Sequence, residues 1–421
     1  MFKESLRSYT FVSVGLVMAK ITGFATSVII ARNSTAEVFG VYTVFFTVYV
    51  ISATVVDQLD NAMIISANSP GNAKGVNEYI LPAVVAKLLI VTAFLVLASL
   101  SFAIDSMLFQ ASCMGVALGA ISSLYNTKIA AFRARLDFRG VALRQPLPNL
   151  VVFVIALVFL WRLNHYEKDS VIVVYMASAI ILSSIPIFSV LKDSTEEVTR
   201  ALKRALRLLH AATPLIIYAA ISLTGNRLDV LLASEFVTTS EIGYYGIAVR
   251  VSIIAAIFNG VLVTITLPSA PFALLSKFEF RQYLKKFLFL VCLQTSISLI
   301  VIMSTPLLVS ILFGPYPNEV ATLAALVIFQ SMLLALSTPL VSLLQSARRN
   351  FDILLAAFVK LVSATILLIL LVPKYGILGA AVGSILSAMI FFVCVGLQTS
   401  SLYRTLSADL GREKSKQEEL Q

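Results

Sequence analysis

ILPAVVAKLLIVTAFLVLASLSFA, residues 80–103, carries one charge, Lys87, in a run that is otherwise apolar or hydroxyl-bearing. A helix rises 1.5 Å per residue, so crossing a hydrocarbon layer about 30 Å thick takes about 20 mostly apolar residues. This stretch is long enough to cross. Outward from it, similar stretches cover residues 9–31, 39–63, 107–131, 145–162 and 170–191, then 208–232, 243–267, 284–312, 319–343, 352–373 and 377–400. The 421-residue chain is 59% hydrophobic and 13% charged, whereas soluble domains carry about 25% charged residues. Mean hydropathy is +0.93. The expected fold is an all-α membrane protein of about twelve transmembrane helices in two six-helix lobes. The connecting segments are too short for a folded extramembrane domain, so function is expected inside the bundle.

The net charge of +10 is spread in a way that argues against nucleic acid. One set of loops holds Lys3 and Arg7, Lys74, Arg133 to Arg144, Lys192 to Arg207, Lys277 to Lys286, Arg348 and Arg349, and Arg404 to Lys416. The alternate set holds Arg32, Arg162, Lys168 and Lys374. By the positive-inside rule the first set is cytoplasmic, with both termini inside, which requires an even number of crossings. The first apolar segment lacks an Ala-x-Ala-like cleavage site and reads as an uncleaved span.

The chain divides into an N-terminal lobe over 1–191, an amphipathic linker helix over 192–207, a C-terminal lobe over 208–400 and a charged cytoplasmic tail over 401–421. In the linker, Ser194 and Glu197 form a capping box. Val198, Leu202, Ala205 and Leu209 then recur opposite Arg200, Lys203, Arg204 and Arg207. Such a helix is expected to lie on the inner leaflet. Glu37-Val-Phe-Gly40-Val-Tyr42 after the first span is echoed by Glu241-Ile-Gly243-Tyr-Tyr245 after the seventh, as in a parallel repeat. Pro186, Pro214 and Pro339 are candidate bending points.

Charged residues inside spans are costly and usually face a bundle interior or water. Here cations dominate: Lys20, Lys87, Arg227, Arg250 and Lys360 lie within spans, and Lys128 near an inner end. The carboxylates are Asp57, Asp60 and Asp229. Lys20 and Arg250 are the hardest to dismiss as snorkelling, and excess buried positive charge calls for water or an anionic ligand. Asp57 and Asp60 share a helix face. Two readings fit them: a Na+ or proton site, or an ion pair with Lys20 or Lys87. There is no HExxH, GxSxG, Walker or Cys-x-x-Cys motif, so neither catalytic residues nor a resident metal is expected. Cys113, Cys292 and Cys394 read as packing residues, and His165 and His210 as interfacial.

In this order and spacing the chain resembles the polysaccharide transporter family, the Wzx-type O-antigen and lipid-linked oligosaccharide flippases of the multidrug/oligosaccharidyl-lipid/polysaccharide exporter superfamily. The likeness is carried by Ala31-Arg32 through Glu37-x-x-Gly40-x-Tyr42, and by Arg227-x-Asp229 through Gly243-Tyr-Tyr245 and Arg250. Leu312-Phe-Gly314 and Pro373-Lys-Tyr-Gly376-Ile-Leu-Gly379-Ala-Ala381 complete it. The resemblance implies two lobes around a central cavity and alternating access in the bacterial cytoplasmic (inner) membrane. The implied cargo is an undecaprenyl-diphosphate-linked oligosaccharide moved from the inner to the outer leaflet. Membrane lipids, a glycan polymerase and a chain-length regulator are the implied partners, and Na+ or H+ the coupling ion.

On that implication Lys20 and Arg250, then Lys87, Arg227 and Lys360, meet the diphosphate, with Asp57, Asp60 and Asp229 as ion-coupling groups. A MATE-like multidrug antiporter is the main alternative and should show a carboxylate-rich cavity. A lipid II flippase should show extra helices, and a membrane glycan polymerase or ligase a large outer loop.

Overall fold

The computed structural model describes residues 2–67, 76–101, 103–104, 106–135, 137–163, 167–193, 198–274, 276–314, 316–347 and 349–419. Lys74, His165, the Ser194–Glu197 capping box and Arg348 lie outside the described residues. Among those described, every regular element is a helix: α1 (Phe2–Arg32), α2 (Ala36–Val56), α3 (Gln58–Ala67), α4 (Asn77–Ser101), α5 (Met107–Ala134), α6 (Phe138–Arg144) and α7 (Leu147–Leu163). They continue with α8 (Lys168–Asp193), α9 (Val198–Ala233), α10 (Thr239–Ala273), α11 (Lys277–Met303), α12 (Thr305–Phe313), α13 (Asn318–Ser346) and α14 (Asn350–Glu419). Hydrocarbon offers backbone N–H and C=O no partner, so apolar spans must satisfy them internally, as helices do.

Among the described residues, ten helical stretches are long and apolar enough to cross a membrane. One of them, Asn350–Thr405, contains two crossings, because Gly376 adopts φ 58°, ψ −141° and turns the chain there. The expected span 243–267 lies within the 35-residue α10. Leu95, Val96 and Leu100 on α4 are exposed, as side chains that face acyl chains are. The protein is a multi-pass membrane protein.

The chain forms two compact units, one of Met1–Ser234 with Thr238–Gly246 and one of Glu235–Val237 with Ile247–Gln421. This division by packing falls later than the linker at 192–207, because α9 packs against α2, α3 and α4 of the first unit. The linker is also not a separate surface helix from Val198 onward, where it is the start of α9. The face it buries is Ala201, Ala205, Leu208 and Ala212, while Leu202 and Leu206 are exposed. Alanine reads as neutral in an apolar pattern, and the closely packed helices α3 and α4 select it over the larger leucines.

The two echoed motifs meet within the first unit. A Cβ on Gly40 would overlap the Thr239 carbonyl oxygen, and one on Gly243 would overlap that of Ala36. Both glycines lie inside helices and let α2 and the first turns of α10 touch backbone to backbone. The sequence similarity therefore marks a contact surface shared by the two segments. Nearby, Tyr42 bonds Ser27 at 3.0 Å and Tyr175 at 3.1 Å through its hydroxyl, tying α1, α2 and α8 together.

Candidate functional site

The second span is broken at its carboxylates. Helix α2 ends at Val56, Asp57 caps it with φ −65°, ψ −11°, and α3 restarts at Gln58. The joint is tight, since the Asp60 N–H donates to the Asp57 carbonyl at 3.0 Å. No proline or glycine stands there. The turn instead carries both carboxylates towards α4, where Lys87 waits.

Lys87 Nζ donates to Asp60 Oδ2 at 2.7 Å, to Asp57 Oδ1 at 3.3 Å and to the Ser123 carbonyl of α5 at 2.6 Å. An ammonium has three N–H groups, and all three are used. Asn126, one turn beyond Ser123, donates to Asp57 Oδ2 at 2.7 Å. The lysine side chain is 0% exposed, inside a shell that includes Val56, Leu59, Ala83, Ala86, Ala205 and Leu208. Of the two sequence readings for Asp57 and Asp60, the structure displays the ion pair, with Lys87 as the cation. Lys87 has no donor left for another ligand in this conformation.

Beside this triad lies a cavity of about 430 Å³, within the 300–1,000 Å³ range of small-molecule sites. Asp57, Gln58, Asp60 and Asn61 form one wall, Asn126 and Arg133 another, and Gln145 and Asn149 a third, with Tyr49 also lining it. Gln145 caps α6 just before α7 begins. Two interrupted spans, α2/α3 and α6/α7, thus supply polar groups to one cavity, which is where broken helices are tolerated in a membrane.

The remaining expected residues are dispersed. Lys20 is half-buried on α1 next to Ala19, a cavity residue, and has no hydrogen-bond or ion-pair partner among the described residues. Arg227 is half-buried on α9. Asp229, two residues on, accepts from the Tyr245 hydroxyl and from the Val230 N–H. Arg250 and Lys360 belong to the second unit and are buried at 6% and 3% exposure, with Lys360 Nζ 5.6 Å from the Phe391 ring centre. The sequence reading passed over Gln58, Asn61, Asn126, Gln145 and Asn149. Their signal was available, as uncharged amides inside otherwise apolar spans, but no periodicity links residues on separate helices.

No family model matches the chain, and no curated protein matches it. Solved structures do. The lipid II flippase MurJ in its inward closed conformation superposes with a TM-score of 0.72 at 14% identity, over 94% of this chain and 90% of that one. The chain has the MurJ/MATE transporter fold. An inward-facing MATE multidrug transporter of the MOP superfamily gives 0.70 at 13% identity, over 94% and 99% of the two chains. A MOP superfamily transporter from Pyrococcus furiosus Vc1, described by a binding pocket of reverse polarity, gives 0.60 at 15%, over 96% of each. Nearly the whole chain takes part in this fold, so both units are integral to it.

Proposed function

We propose that this chain is a flippase that moves a diphosphate-linked oligosaccharide lipid from the inner to the outer leaflet of a bacterial cytoplasmic membrane by alternating access. The observation that carries the reading is Lys20, a cation midway along a spanning helix with no carboxylate partner among the described residues. Such a group needs water or an anion, and a lipid diphosphate supplies two charges to cations that act as donors. The fold shared with a lipid II flippase supports the same class of cargo. Lys20 is assigned to the diphosphate, and Arg227 in the first unit and Arg250 and Lys360 in the second are proposed, each within its own unit, as further cations for the anionic cargo. Lys87 is assigned to the ion cluster instead, since its donors are spent.

In proteoliposomes holding a fluorescent undecaprenyl-diphosphate oligosaccharide, Lys20→Ala and Arg250→Ala each slow translocation at least tenfold while the protein stays monodisperse. Wild-type rates in both variants reject the assignment.

A second reading, a cation-coupled antiporter, is favoured by the cavity-facing carboxylates Asp57 and Asp60 and by the MATE likeness. Efflux of an organic cation, driven by Na+ or H+ and abolished in Asp57→Asn without any lipid translocation in the wild type, selects it over the flippase.

A further inference from the structure

We infer that the cavity of the first unit is a carbohydrate subsite, built to accept hydrogen bonds from the hydroxyls of a neutral sugar; the cargo it implies rests on the flippase reading above. The argument starts from which way the amides face. Asn126 donates its NH2 to the Asp57 carboxylate at 2.7 Å and Asn149 donates to the Ala19 carbonyl at 2.9 Å. Both partners can only accept, the first because it is ion-paired with Lys87, so the amide nitrogens must face them. The carbonyl oxygens are then left for the cavity.

A further acceptor, Gln145 Oε1, is buried and receives no hydrogen bond among the described residues, whereas Asp60 has the Thr127 hydroxyl beside it. Asp60 is itself 5% exposed. A buried acceptor left empty is costly, and Gln145 Oε1, on the same cavity as the Asn126 and Asn149 carbonyl oxygens, calls for a ligand that donates more than once.

Charge decides what kind of donor. Asp57 and Asp60 are matched by Lys87 and by Arg133, which lines the same cavity. A metal or organic cation would add a third positive charge beside Lys87, and a phosphate would face acceptor oxygens. A neutral polyol meets neither penalty. Tyr49 adds a ring held by Phe45 at 6.0 Å and edge-on by Tyr175 at 5.2 Å, a fixed aromatic wall suited to the C–H face of a pyranose. The diphosphate then lies outside this cavity and the first sugar within it.

The full chain in nanodiscs is titrated with undecaprenyl diphosphate and with undecaprenyl-diphosphate N-acetylglucosamine. In parallel, saturation-transfer NMR is run with methyl glucoside, galactoside and N-acetylglucosaminide. The wild type is expected to bind the glycosylated lipid at least tenfold more tightly than the bare one and to give saturation transfer to at least one glycoside. Gln145→Met and Asn61→Leu reduce the ratio to threefold or less and abolish the transfer, with bare-lipid affinity changed less than twofold. A wild-type ratio near one with no transfer overturns the subsite and leaves the flippase proposal intact. A Na+-dependent thermal shift lost in Gln145→Met, with the sugar ratio retained, makes the cavity a cation site and also overturns it. Saturation transfer to a glycoside with neither lipid bound keeps the subsite and rejects the flippase.

Discussion

Replacing Lys87 with methionine removes the charge and keeps most of the side-chain volume. With contacts of 2.7 and 3.3 Å to Asp60 and Asp57, the attraction lost is about 6 and about 5 kcal/mol at an effective dielectric of about 20. Much of that offsets the desolvation of three charges. Deleting one partner of a buried ion cluster nevertheless costs about 3–5 kcal/mol, because it strands the others. Here it strands two carboxylates three residues apart, Asp60 buried and Asp57 on the cavity wall.

Lys87→Met should therefore lower the thermal unfolding midpoint of the detergent-solubilised protein by about 6–20 °C, at about 2–4 °C per kcal/mol. Adding Asp57→Asn and Asp60→Asn removes the stranded charges and should recover at least half of the loss. With Cys292 and Cys394, which are not buried, replaced by serine in every variant, a thiol-reactive dye reporting on Cys113, buried beside Ala98 and Ala117, follows the transition. A single variant that melts with the wild type, or a triple variant no better than the single, refutes the claim that charge pairing holds α3 to α4.

Other outcomes follow from local geometry. Gly40→Leu places side-chain atoms where even a Cβ overlaps the Thr239 oxygen; overpacking of about 1–3 kcal/mol or more should appear as aggregation in size-exclusion chromatography. Tyr42→Phe loses hydrogen bonds to Ser27 and Tyr175, and should lower stability by about 1–3 kcal/mol in denaturant titration. Gly376→Val forces a β-branched residue into φ 58°, ψ −141°, a region open essentially to glycine alone, costing about 1–3 kcal/mol, visible as a lower melting midpoint. Arg204→Ala breaks a 3.2 Å pair with Glu78 that is largely exposed and should shift stability by less than about 1 kcal/mol.

The spans were legible because a bilayer demands apolar length, and the Gly376 turn falls between the stretches read as 352–373 and 377–400. That Asp57 and Asp60 share a face was also legible, since three residues is nearly one helical turn. Which cation answers them was not: Lys20 and Lys87 are equally placed in sequence, and only the packing of α4 against α5 brings Lys87 forward. The break at Asp57 had no proline or glycine to announce it. The buried face of α9 was misplaced because its residues are mostly alanine, which carries almost no hydrophobic signal. Gln145 and Asn149 escaped because they meet Asn126 and Asp60 through the fold, far apart along the chain.

The Lys87 triad also bears on how the chain enters its bilayer. Residues 36–65 leave the ribosome before Lys87 does, carrying two aspartates whose transfer alone costs about 2.5–3.5 kcal/mol each at mid-depth. That segment should linger at the translocation channel until residues 78–101 arrive, and the two should partition into lipid as a neutralised hairpin. A nascent chain halted near residue 75 would then hold its second span outside the membrane, while one halted some forty residues later would have released it.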